Sequence, residues 1–309
     1  MPVVIAHRGA SGYLPEHTLA AKTLAFEMGA DFLEQDIVAS RDDELLVLHD
    51  VHLDRVSDVA ARFPGRERSD GRFYARDFDI DEIRTLSAWE RMNTDGSPVY
   101  PDRFPPKSGD FGFNTLAEEL RLVRSLNEEH GRETGVYPEI KRPVWHRDEG
   151  IDISPLLLET LSDFGYEENP EQVFVQCFDD SEIRRLKNEL NCPYKLVQLV
   201  GLNSWQEAPT DFEQLWTRDG IQRVAAVADA VGPHTSLLLD KDTTDSIPVV
   251  SNLVQVVHDA GLLIHPFTFR ADDLPAGFTS FEDLVEFFVG VVGVDGLFTD
   301  FPDRVKEIL

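Results

Sequence analysis

Cysteine is nearly absent from this chain of 309 residues. Only Cys177 and Cys192 occur, too few for a disulfide framework and without the paired spacing of a zinc site. Lysine is also scarce, seven against 22 arginines, while aspartate and glutamate number 57 and leave a formal net charge of −28. A field of that sign repels phosphate at long range, so neither nucleic acid nor an anionic membrane surface is expected as a partner. Two readings of the acidity stand side by side: adaptation to high salt, where screening weakens self-repulsion, and an acidic surface that aids solubility. No apolar run approaches the roughly 20 residues that cross a bilayer, so no stable membrane insertion is expected. Nor does the chain start with a basic segment, an apolar stretch and a small-residue cleavage site. As written it is expected in the cytoplasm, and in the periplasm or outside the cell if a leader was removed. Three motifs are missing as well: a Gly-x-Gly-x-x-Gly after the first strand, a Gly-x-Ser-x-Gly and a P-loop. Their absence takes away the main support for a dinucleotide-binding sheet, a serine hydrolase and a nucleotide triphosphatase.

What is present is a ladder of strand-like runs alternating with helical patterns. The runs are VVIAHRG (3–9), FLEQDIVAS (32–40), DELLVLHD (43–50), TGVYPEIK (134–141), VFVQCFD (173–179), YKLVQLVG (194–201), SLLLD (236–240), LLIHPFTF (262–269) and GLFTDFP (296–302). Helices are expected near 15–28, 115–131, 154–164, 180–190, 220–230, 248–260 and 280–290, with a short one at the end. In 115–131, Asn114 or Thr115 is the expected N-cap and Gly131 the stop. The alternation predicts an α/β fold, a TIM (β/α)8 barrel, with one of the nine runs a short extension of its neighbour or sharing its place. Residues 51–112 break the ladder. Rich in Arg, Asp, Gly and Pro yet also aromatic, they read as a small inserted domain after an early strand of a single barrel domain. Phe73 and Tyr74 are candidates for lining a substrate entry there.

In such a barrel the active site lies where strands end and βα loops begin. His7 and Arg8 end the first run and His49 the third. Glu34 and Asp36 lie two apart in LEQD, so a strand points both to the barrel interior. Glu139 and Lys141 do the same in PEIK, and Gln176 and Phe178 in VQCFD. Buried carboxylates need a partner charge or a metal. Pairing with Arg8 and Lys141 is one solution. A hard cation on Glu34, Asp36 and Glu139 is the other, and the full set at successive strand ends favours it. His7 and His49 are then candidates for an acid and a base beside that cation. With Arg8 and Lys141 to hold anionic oxygens, the set suits phosphate-ester chemistry. His130, His146 and His234 read as ordinary histidines, and His265, at a strand end, as less certainly so.

The stretches HRGASGYLPEHT, LEQDIVASRDDELLVLHD, YPEIK, VQCFD and GLFTDFPD, in that order, resemble the glycerophosphodiester phosphodiesterases. They are most similar to the bacterial periplasmic branch of the glycerol-3-phosphate regulon. The resemblance covers nearly the whole chain. It implies a TIM barrel that hydrolyses glycerophosphodiesters to an alcohol and sn-glycerol 3-phosphate. Carried over by motif, it makes His7 and His49 the catalytic pair, Arg8 and Lys141 phosphate-binding groups, and Glu34, Asp36 and Glu139 the ligands of one divalent cation. Ca²⁺ is the cation of the similar branch and Mg²⁺ that of others. Gln176 and Phe178 join the expected substrate contacts. In PEHT, His17 replaces the Asn of the common PENT form and is not expected to be catalytic. The competing readings are a sphingomyelinase D-type lipid hydrolase and a non-catalytic binding or adhesion barrel.

Overall fold

In the computed structural model, which describes residues 1–240, 242 and 248–309, nine strands are connected mainly by helices. They are β1 Val3–Ala6, β2 Phe32–Ala39, β3 Leu45–Val47, β4 Gly135–Ile140, β5 Phe174–Cys177, β6 Lys195–Val200, β7 Ala230–Pro233, β8 Leu263–Ile264 and β9 Gly296–Thr299. Eight of them run parallel in the order β8-β7-β6-β5-β4-β2-β1-β9. Between β8 and β9, backbone hydrogen bonds from Asp295 to Ile264 and from Phe298 to Pro266, both 3.0 Å, close the wall. β3 is the extra run. It pairs antiparallel with the far end of β2, Ile37 opposite Val47, and extends that strand beyond the barrel rim.

Local chemistry explains the elements. β1 and β2 are apolar apart from a few polar positions, and nearly every residue in them is buried, as a strand covered on both faces requires. The helix Leu116–His130 begins at a reciprocal capping box between Thr115 and Glu118 and ends at Gly131, whose φ of 63° is left-handed. The barrel interior below the rim is filled by rings. Tyr137 stacks on Phe174 with centroids 4.9 Å apart, and Phe298 meets Tyr137 edge-on at 5.0 Å. This aromatic plug makes a dry floor.

One expected strand lies elsewhere. SLLLD (236–240) is not a strand: Thr235–Leu238 is a 3-10 turn, and β7 is formed by AVGP just before it. With four residues, two of them Gly and Pro, β7 carries almost no strand signal, and its proline takes the last position. A side chain on Gly232 would come within 2.6 Å of Leu199. The leucines misread as a strand serve the core instead, with Leu238 fully buried. The helix expected near 220–230 accordingly stops earlier, spanning Arg218–Ala225.

Residues 51–112 gather around an apolar centre of their own, including Leu53, Val59, Phe78 and Ile83, which packs on Val38 and Leu46. Their helical turns are short, Val59–Arg62, Ala75–Asp77 and Ile80–Ile83. Phe73 is buried in this centre, and Tyr74 stacks on Trp145 with centroids 5.6 Å apart. Neither lines the cavity described next, because both rings are consumed by packing.

Candidate active site

Strand register builds the site. Asp36 on β2 lies beside Glu139 on β4, and Glu139 beside Gln176 on β5. Three polar side chains thus occupy one rung above the aromatic floor, and Glu34 sits two residues lower on the same face of β2. His265 belongs to the floor. Its Nδ1 is hydrogen-bonded to the Tyr137 hydroxyl at 2.9 Å, and it stays out of the cavity.

β1 delivers the next two groups. Arg8 adopts φ 59° and Gly9 φ 86°, a turn that aims the Arg8 backbone N–H at Glu34 Oε2, 2.6 Å away. Only glycine fits at the second position, since a Cβ there would come within 2.7 Å of the Ala21 backbone. The Arg8 guanidinium reaches Glu16 at 2.9 Å and Asp36 at 3.5 Å.

Each histidine is held by an aspartate. His7 Nδ1 is 2.6 Å from Asp300 Oδ1, and His49 Nδ1 is 2.7 Å from Asp50 Oδ1. With Nδ1 carrying the proton to its carboxylate, Nε2 keeps a free lone pair in both rings. The aspartates are themselves gripped. Arg103 and Arg270 hold Asp300 at 2.7 and 2.9 Å, and Arg91 holds Asp50 at 2.5 Å. Burial, then the charge of Arg8, brings the His7 imidazole down to about 4, although Asp300 opposes this. Burial followed by Arg8 and Lys141 also lowers His49. Burial thus favours in both rings the neutral form, which accepts a proton.

The carboxylates are crowded. Burial and then Asp36 raise Glu34 above the usual carboxylate range, and burial pushes Glu139 up to about 8 despite Lys141 at 2.8 Å. Asp36 goes the other way: burial opposes ionisation, but Lys141 and His49 hold it low. Three buried carboxylates with too little positive charge are a donor set that a hard divalent cation would complete. Ligand atoms of His17, Glu34 and Asp36 all lie within 4.8 Å of one another. His17 Nε2 is 2.7 Å from Asp36 Oδ2, so in this arrangement the ring orients Asp36, leaving an all-oxygen set. Gln176 Oε1, buried and without a partner, faces the same space, with its Nε2 3.5 Å from Glu34.

All nine residues singled out in the sequence line one cavity of about 270 Å³: His7, Arg8, Glu34, Asp36, His49, Glu139, Lys141, Gln176 and Phe178. Its wall also holds Trp205 and Phe267, which the sequence does not mark, and His234, which reads in the sequence as an ordinary histidine but lines the cavity. Trp205, His234 and Phe267 form an aromatic side, Trp205 meeting His234 edge-on at 5.1 Å. His234 follows β7, the strand misplaced in the sequence, which hid its position at a strand end. Asp50 was legible as the neighbour of His49. Asp300 stands in TDFP at the end of β9, but its partner His7 is 293 residues away. His146 is wholly buried, taking an N–H from Ala39 at 3.2 Å, and His130 packs on Phe26.

Comparison with known proteins gives four findings. The profile of the "Glycerophosphoryl diester phosphodiesterase family" matches residues 7–304. A glycerophosphodiester phosphodiesterase of Haemophilus influenzae is 38% identical over 326 residues, covering 99% of this chain and 89% of that protein. One from Treponema pallidum is 37% identical over 325 residues, covering 99% and 91%. Among solved structures, an Oleispira antarctica phosphodiesterase in complex with the product sn-glycerol-3-phosphate matches with a TM-score of 0.65 at 21% identity, covering 100% of this chain and 96% of that one.

Proposed function

The chain belongs to the glycerophosphoryl diester phosphodiesterase family, and from that premise we propose a two-histidine, metal-dependent mechanism acting on small water-soluble diesters. Glycerophosphocholine and glycerophosphoethanolamine are the substrates meant, and an alcohol and sn-glycerol 3-phosphate the products. The observation that carries this reading is the placement of two aspartate-held histidines in one cavity with Arg8, Lys141 and three buried carboxylates. The product bound in the Oleispira antarctica enzyme is consistent with it.

Arg8 and Lys141 hold the non-bridging oxygens of the phosphate. One histidine takes the proton of the glycerol 2-hydroxyl through Nε2, and that oxygen attacks phosphorus. The other histidine, protonated at Nε2 when the anionic diester lies beside it, donates that proton to the departing alcohol, which leaves with its oxygen. Water then opens the five-membered cyclic phosphate, the histidines exchanging roles. The aspartates keep both rings in the tautomer this requires. Glu34, Asp36 and Glu139 would hold the cation, Ca²⁺ first and Mg²⁺ second, with His17 fixing Asp36 from behind. When bound, the cation supplies positive charge against the developing negative charge on the phosphate oxygens. Gln176 and Phe178 contact the substrate, and the wall of Trp205, His234 and Phe267 receives its glycerol.

The test is release of glycerol 3-phosphate from glycerophosphocholine before and after chelation, with Ca²⁺ and Mg²⁺ added back separately, and a rapid-quench search for the cyclic phosphate. Activity lost to chelator and restored by Ca²⁺ is expected, with the cyclic species appearing transiently. Full activity in excess chelator contradicts the metal, and turnover with no cyclic species contradicts the attack by the 2-hydroxyl.

A further inference from the structure

Two cavities meet at the histidine pair. The first, already described, holds the carboxylate rung. The second, of about 280 Å³, shares His7, Arg8 and His49 with it and continues away from Glu34, Asp36 and Glu139, under the segment 90–103. A phosphodiester has two arms on one phosphorus. With the phosphate at His7, Arg8 and His49 and the glycerol arm beside the carboxylates, the second arm has the second cavity to enter.

The carboxylates of that second cavity are nearly all engaged. Glu16 is bound by Arg8 and Arg91, Asp50 by His49 and Arg91, and Asp300 by His7, Arg103 and Arg270. Glu207 lies within 4.0 Å of both Lys141 and Arg142. Glu90 differs. It is 3% exposed, its Oε2 is buried with no hydrogen-bond partner, and among the described residues no cation pairs with it. Burial, then nearby Glu16, pushes its carboxyl up to about 8, although the charge of Arg103 and a backbone hydrogen bond from Arg91 oppose this. A buried carboxyl kept without a partner costs stability, which a cationic ligand in the cavity would recover.

We propose that this second cavity is the subsite for the leaving alcohol and that Glu90 selects alcohols bearing an ammonium or quaternary ammonium group. This rests on the diesterase reading above. It assigns to the inserted segment a chemical role: reading the head group, while the barrel reads the glycerol phosphate common to all substrates.

The experiment compares wild type with Glu90→Gln, an uncharged variant of the same shape. Steady-state kinetics are measured on glycerophosphocholine, glycerophosphoethanolamine and a diester whose second alcohol is glycerol. Loss of one charged contact is expected to lower kcat/KM for the two cationic diesters by about 10- to 100-fold and to leave the glycerol diester within about 3-fold. Inhibition by glycerol 3-phosphate, which occupies the other arm, is expected to be unchanged. Calorimetry of choline binding to the enzyme saturated with glycerol 3-phosphate gives a readout independent of turnover, and binding is expected in wild type and weakened in the variant. Equal losses on all three diesters, no loss on any, or altered glycerol 3-phosphate inhibition would each overturn the subsite. Wild-type enzyme that binds choline but releases no glycerol 3-phosphate would instead sink the diesterase reading and leave the site standing.

Discussion

Asp300 stands between His7 and Arg103, accepting the Nδ1 proton of His7 at 2.6 Å on one oxygen and Arg103 at 2.7 Å on the other. The chain ends of the barrel meet here, β1 supplying the histidine and β9 the aspartate, while the guanidinium comes from residues 51–112. Removing the charge but not the shape, Asp300→Asn, favours the wrong tautomer of His7. A fall in kcat of about 10²- to 10⁴-fold with KM little changed is expected from steady-state kinetics. Arg103→Gln, one step further out, is expected to cost about 10-fold. Unchanged kcat in Asp300→Asn would contradict the orienting role.

Cation binding should be visible without any substrate. Glu34, Asp36 and Glu139 repel one another in the barrel mouth, so Ca²⁺ is expected to raise the melting temperature of chelator-treated enzyme. In Asp36→Asn the rise should shrink or vanish at the same Ca²⁺ concentration. Equal Ca²⁺-induced shifts in wild type and variant would place the cation elsewhere.

His146 predicts an acid-sensitive contribution to stability. Burial lowers its pKa from 6.5 to about 4, with its Nε2 accepting the Ala39 N–H. The unfolded chain therefore takes up a proton as pH falls through 6.5, while the folded one does not until about 4. Stability is lost across that window, by up to about 3 kcal/mol from this group. Denaturant unfolding at pH 7 and pH 4.5 checks it. His146→Gln should be less stable than wild type at pH 7, with the gap narrowing at pH 4.5. Parallel losses in both proteins would refute it.

Behind the carboxylate rung, Lys22 and Glu119 form a fully buried pair at 3.2 Å, and the Lys22 ammonium also donates to the Glu34 backbone carbonyl. Lys22→Met strands a buried carboxylate and is expected to cost about 3–5 kcal/mol. Adding Glu119→Gln should recover a large part of it, since the stranded charge is gone. Additive losses in a double-mutant cycle would show that the two do not act as a pair.

The barrel was legible because most of its strands lie within apolar runs that alternate with helical patterns, and the chemistry was legible because polar residues two apart inside such runs stand out. LEQD, PEIK and VQCFD carried both signals at once. The strand AVGP carried neither, being short and ending in proline, so β7 and with it His234 were misplaced. Asp300, Arg91 and Arg103 escaped for a different reason. Each is unremarkable locally and gains its meaning from a partner far off in sequence. Segment 51–112 could be marked as departing from the ladder, but which of its side chains face the site depends on how it folds back. Phe73 and Tyr74 pack inward, while Arg91 and Arg103 reach the aspartates that hold the histidines and Glu90 lines the second cavity.

The two-histidine mechanism is tested most directly by replacing each histidine by alanine while following glycerol 3-phosphate release from glycerophosphocholine. Both His7→Ala and His49→Ala are expected to lose about 10²- to 10⁴-fold in kcat while still binding glycerol 3-phosphate through Arg8 and Lys141. A diester with a good leaving group such as p-nitrophenol should rescue only the variant that lacks the general acid. Wild-type turnover in either alanine variant would contradict the two-histidine mechanism.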